Sequence, residues 1–233
     1  MNNFFNNSNF EDDLVENSAT LIPVCLCLDT SSSMRGKPIE ELNKGIKLFY
    51  ETIKNDEISC MSTDLSIVTF GNGGVKSMYD FSNLNKNPNP PELKAGGNTP
   101  MGDAVNKALD MIENRRDEYH RKGIDHYKPW LVIMTDGHPF GDSSKTSLPT
   151  AQRRATELVN NNKLGVFPIW IGNNNQEKGM SILAGFSPKN KPAKLKGIDF
   201  SKFFDWLSKS VSSASSSNSE SDIRLAPLDW VTM

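Results

Sequence analysis

Residues 21 to 33 read Leu21-Ile22-Pro23-Val24-Cys25-Leu26-Cys27-Leu28-Asp29-Thr30-Ser31-Ser32-Ser33. A strand with one face in water would alternate apolar and polar residues, whereas this run is apolar throughout. It therefore reads as a strand buried on both faces, the condition of a parallel sheet covered by helices. In open sheets of that kind ligands bind beyond the carboxyl ends of the strands. Asp29, Ser31 and Ser33 stand at that end, and a carboxylate followed by hydroxyls at i+2 and i+4 suits a hard divalent cation such as Mg²⁺. The spacing fits a loop cradling one point better than a helix face.

One loop cannot complete an octahedral shell, so further oxygen donors are expected at neighbouring strand ends. Thr99 precedes Pro100, a residue suited to the first turn of a helix. Trp130-Leu131-Val132-Ile133-Met134-Thr135 is a second buried-strand run, and it ends in Asp136-Gly137. Between and beyond these segments the pattern alternates. Strands are expected at 22–28, 64–70, 75–81, 129–135, 165–171 and 193–196, with helices at 38–54, 100–120, 147–163, 178–184 and 199–212. The implied fold is α/β and doubly wound: a mostly parallel six-stranded sheet with one antiparallel edge strand and helices on both faces. Gly71-Asn72-Gly73-Gly74 marks the hairpin that makes 75–81 the antiparallel strand.

Asp29-x-Ser31-x-Ser33, then Thr99, then Asp136 resembles the metal-ion-dependent adhesion site of von Willebrand factor A domains. The stretches Asp29 to Pro38 and Met134 to Pro139 further resemble bacterial TerY-type members found near tellurium-resistance genes. The likeness covers about residues 20–210 and implies a Rossmann-like fold that holds Mg²⁺, with Mn²⁺ or Ca²⁺ as substitutes. It implies that Ser31 and Ser33 coordinate directly and that Asp29 and Asp136 act largely through water. Thr99 would be a conditional ligand, and a partner protein would offer an Asp or Glu to the remaining position. Met34, Arg35, Asn98 and His138 are the rim residues expected to face that partner. A kinase or phosphatase of the same gene cluster is the partner class the TerY likeness suggests, in a stress-response or phosphorylation-linked setting.

Composition sets the outer limits. A net charge of −2 over 233 residues argues against nucleic acid or an anionic membrane as the main partner. No apolar run approaches membrane-spanning length, and no signal-peptide pattern opens the chain. Three cysteines form no disulfide framework, and Cys25 and Cys27 read as small apolar fillers of a buried strand. These features point to a cytoplasmic, monomeric protein. An enzyme is the competing reading: Asp29 beside Mg²⁺ is superficially like haloacid-dehalogenase phosphatases. There, however, the residue two positions on is a carboxyl acid, and here it is Ser31, which cannot serve as a general acid near neutral pH.

The ends differ from the middle. Residues 1–19 read as an N-terminal arm, 20–211 as the von Willebrand factor A domain, 212–222 as a serine-rich linker, and 223–233 as an apolar tail that packs back on its own domain. Asp229 in that tail is a lesser candidate for an internal ligand. His120 and His126 are expected to be solvated. Lys189, Lys191, Lys194 and Lys196 are expected to blunt an edge strand.

Overall fold

The computed structural model describes residues 19–217 apart from 142–143, 173–175, 196 and 198. The N-terminal arm up to 18, Lys196, the apolar tail and Asp229 lie outside the described residues. Strand β1 (Ile22–Thr30) is buried along its whole length. It pairs in parallel with β2 (Thr63–Gly71) on one side and with β4 (Trp130–Thr135) on the other. A tight turn returns β2 into the antiparallel β3 (Gly74–Asn83), while β4 continues to β5 (Gly165–Trp170) and then to the two-residue β6 (Ala193–Lys194). The sheet order is β3-β2-β1-β4-β5-β6. This is the mostly parallel, six-stranded arrangement with one antiparallel edge that the sequence implies.

The period-2 geometry of β1 divides the core. Ile22, Val24, Leu26 and Leu28 face one apolar layer, which includes α1 (Lys37–Lys54) and α6 (Phe200–Ser215). Cys25 and Cys27 face the other, with Ala104, Val105 and Ala108 of α3 (Met101–Lys122) and Ala151 and Ala155 of α4 (Ser144–Asn160). Small thiols opposite alanines let those helices approach the sheet closely. Burial pushes the Cys25 thiol up to about 12, so it is inert as a nucleophile. In α1 the buried Ile39, Leu42, Ile46, Phe49 and Ile53 recur at helical spacing.

Several expectations are corrected. The short helix α2 (Glu57–Ser62) is absent from the sequence reading, because six residues carry too little periodicity to register. Helix α4 begins at Ser144 and not at 147, which moves Pro149 from the first turn of the helix to its second. The boundary at 211–212 falls within α6, which continues through the serines to Ser215. Composition suggested a linker from 212, but Ala214 is 0% exposed and the Ser59 hydroxyl donates to Ser212 Oγ at 2.8 Å; farther back in the helix the buried Ser208 hydroxyl donates to the Phe204 carbonyl at 2.8 Å. That local bond satisfies a hydroxyl inside a packed helix, while Phe203, Phe204, Leu207, Val211 and Ala214 supply its apolar face. Val211→Ala, where the apolar face meets the serine-rich stretch, is therefore expected to cost roughly 1 to 2.5 kcal/mol in urea unfolding.

His126 is also corrected, since it is half-buried and its ring lies 4.8 Å from that of Tyr119. Tyr119 belongs to a polar cluster at the end of the sheet where β1 and β2 begin. Asp64, 2% exposed, accepts from Arg115 Nε at 2.6 Å and Nη2 at 3.2 Å and from the Tyr119 hydroxyl. Burial raises the Asp64 carboxyl and the Arg115 guanidinium pulls it back.

Candidate functional site

At the opposite end of the sheet, β1 and β4 finish side by side. Leu28 pairs with Met134, which sets Asp29 abreast of Thr135. The Thr135 hydroxyl donates to Asp29 Oδ2 at 2.5 Å, and the Ser31 amide donates to Asp29 Oδ1 at 2.7 Å. Asp29 is thus clamped from both sides while fully buried. A 3-10 turn over Ser32–Met34 then folds the chain back. It brings the Ser33 hydroxyl to 2.6 Å from Asp136 Oδ1, which accepts its proton, and to 3.0 Å from Ser31 Oγ.

Thr99 reaches the same point from a third loop. Its backbone is bridged to Phe140, with its carbonyl accepting from the Phe140 amide at 3.0 Å and the Met101 amide at 2.8 Å. A Cβ built on Gly137 would stand 3.4 Å from Thr99 Oγ1 and 3.7 Å from Asp29 Oδ2. The threonine hydroxyl and the aspartate carboxylate therefore flank one small space, and glycine at 137 leaves it open.

Backbone contacts fix the three loops together. Gly97 O accepts from both the Ser32 amide and the Ser32 hydroxyl at 3.1 Å, and the Gly96 amide donates to Thr30 O at 2.8 Å. Gly71, at φ +140°, has Thr30 so close that a Cβ would meet its carbonyl carbon at 2.2 Å. Gly97, at φ +72°, would likewise place a Cβ 2.4 Å from Gly71 O. Only glycine permits this approach of chain to chain.

Burial dominates the electrostatics of the two acids. Burial pushes the Asp29 carboxyl up to about 6, opposed by its bonds from Ser31 and Thr135 and reinforced by the nearby Asp136. Burial also raises Asp136, against the bond from Ser33. Among the described residues no lysine or arginine forms an ion pair with either acid. Two carboxylates and three hydroxyls thus converge without a counter-charge. Such an oxygen-only donor set fits Mg²⁺ better than a soft metal. No group of three or more His, Cys, Asp and Glu gathers among the described residues, so a cation here would depend on the hydroxyls.

The structure places Asp29, Ser31, Ser33, Thr99 and Asp136 together. Met34 is corrected: it is 0% exposed and belongs to the core layer of α1, so it cannot face a partner. Arg35 and Asn98 are exposed. His138 stacks on Trp170 with ring centroids 5.8 Å apart, and burial and Lys178 lower its pKa, so its imidazole is neutral at pH 7. Thr135 is a site residue that sequence reasoning passed over. Its signal was a hydroxyl at the last position of a buried strand, where a purely apolar residue would serve packing equally well. Phe140, 67% exposed beside Thr99, was also missed, because one exposed phenylalanine has no sequence signature.

The von Willebrand factor type A domain model matches residues 24–193. The chain belongs to the von Willebrand factor type A (VWA) family. Domains of this family commonly serve protein interaction or adhesion. Among solved structures, the vWF domain of the type V pili tip protein Mfa5 from Porphyromonas gingivalis has a TM-score of 0.65 at 9% identity, covering 86% of this chain and 98% of that one. The pilus adhesin SpaC from Lactobacillus rhamnosus GG gives 0.62 at 14% identity, covering 83% of this chain and 30% of that chain. The PilB minor pilin from Streptococcus sanguinis gives 0.60 at 14% identity over 82% of this chain and 61% of its own. At these identities the likeness shows the fold. No curated protein matches the chain.

Proposed function

We propose that this VWA domain is a Mg²⁺-dependent protein-binding module. Asp29, Ser31, Ser33, Thr99 and Asp136 would hold the cation, and an Asp or Glu of a partner protein would complete its shell. The observation that carries this reading is the pair of carboxylates, fully buried Asp29 and partly buried Asp136, tied to hydroxyls and left without a basic partner among the described residues. A cation bound largely through neutral oxygens keeps charge available for an incoming carboxylate. Mn²⁺ or Ca²⁺, also oxygen-seeking, would serve as substitutes.

The same geometry favours an adaptor over a phosphohydrolase. Ser31 occupies the place of a carboxyl acid, and its amide is already committed to Asp29. We therefore read the protein as non-enzymatic and monomeric. The three described cysteines are free and buried, which supports a reducing, cytoplasmic setting. The TerY-type likeness supports a role in tellurite or other stress resistance, with a kinase or phosphatase as partner. Pull-down with the full chain from the native cell tests the reading. Capture is expected to require Mg²⁺ and to be lost in excess chelator, and a partner retained equally with chelator would refute it.

A further inference from the structure

Beside the metal rim lies a cleft of about 190 Å³ floored by Thr30 and Thr69 and walled by Lys76 on β3 and Lys94 in the loop that leads to Thr99. The Gly96 amide donates to Thr30 O at 2.8 Å and the Ser32 amide to Gly97 O at 3.1 Å, so the loop that carries Lys94 is tied to the chain between Asp29 and Ser33. Arg35 extends the same surface: its Nη2 is 3.8 Å from a Cβ built on Gly96, alongside Asn72 Oδ1 at 3.6 Å. Arg35, Asn72, Lys76 and Lys94 are all exposed.

The three cations fall among the bases of this surface that carry no ion pair. Lys44, Arg153, Arg154, Lys202 and Lys209 each have an acid within 4 Å. Among the described residues Arg35, Lys76 and Lys94 have none, although Glu92 lines the same cleft. Like charges left unpaired together cost stability unless a ligand of opposite charge uses them.

We propose that the partner segment is multiply acidic: one carboxylate goes to the metal, and a second Asp or Glu a few residues away lies in the cleft between Lys76 and Lys94, within reach of Arg35. This inference rests on the metal-bridge reading above. The second carboxylate would steer encounter and favour one direction for the segment across the rim, since the cleft lies to one side of it. Glu92 sets the reverse preference, disfavouring segments too densely charged to avoid it.

The test uses the full chain and labelled nine-residue Gly/Ser peptides with a central Glu, each carrying one further Glu or Gln at a single flanking position. With Mg²⁺, a second Glu on one side of the centre is expected to tighten binding about 5-fold over Gln at the same position, with the gain shrinking as salt rises. In Lys76→Gln/Lys94→Gln that gain is lost, while Mg²⁺ affinity by calorimetry and the binding of the single-Glu peptide are unchanged. If the single-Glu peptide binds with Mg²⁺ and no flanking Glu improves it, the acidic-segment proposal is overturned and the metal bridge stands. If Mg²⁺ does not bind, or peptides bind equally with chelator, the metal bridge itself falls.

Discussion

Asp29→Asn is expected to reduce Mg²⁺ affinity at least 100-fold while leaving the protein folded. Asn keeps the size of the side chain and one carbonyl acceptor for the Ser31 amide, so the clamp at the end of β1 loses charge and little packing. The pH dependence gives a second readout. In the metal-free protein burial raises the Asp29 carboxyl from 3.8 to about 6. A raised folded-state value favours the protonated form, so the stability it contributes is complete below pH 4 and is lost as pH rises through 6. That swing amounts to about 3 kcal/mol. Metal-free wild type should therefore lose stability relative to Asp29→Asn between pH 4 and pH 7.5, and Mg²⁺ should restore it in wild type alone. Urea unfolding of both proteins across that range, with and without metal, checks the effect. Parallel pH curves for the two would show that Asp29 ionises without penalty and that the site has no need of a cation.

Arg115→Met should destabilise the protein by about 3 to 5 kcal/mol, because it strips a buried carboxylate of its ionic partner. Asp64 is 2% exposed and takes two of its bonds from the Arg115 fork. The Tyr119 hydroxyl remains, but a neutral donor compensates a charge poorly. The double variant Asp64→Asn/Arg115→Met should lose much less, since it removes the stranded charge together with its partner. Equal losses for the single and double variants would mean that packing of the arginine stem, and not charge, holds this end of the sheet. The metal rim lies at the other end of the strands, so Mg²⁺ affinity should survive in whatever fraction remains folded.

The sequence was most legible where one physical demand dominated. Uninterrupted apolar runs at 22–28 and 130–134 belong to strands buried on both faces, and nothing else of that length fits so well. The acids that follow them stand at strand ends by simple continuation, which is why Asp29 and Asp136 could be assigned to one rim. Legibility failed where tertiary contact overrode local signal. Residues 212–215 read as linker by composition, yet α6 runs on through them, with Ala214 buried and Ser212 accepting from the Ser59 hydroxyl of α2. Met34 follows three rim residues in sequence, but the 3-10 turn rotates it into the core.

The sequence by itself determined the α/β alternation, the central place of β1 and which five oxygen-bearing residues gather at one rim, because strand burial and the ends of strands are written in residue type and order. Only the tertiary structure decided that Thr135 clamps Asp29, that Gly71 and Gly97 lock three loops backbone to backbone, and that Lys76 and Lys94 line one cleft with Arg35 close to its Asn72. Those relations join residues 18 to 106 positions apart. They arise when strands fall into register, and no local pattern records them.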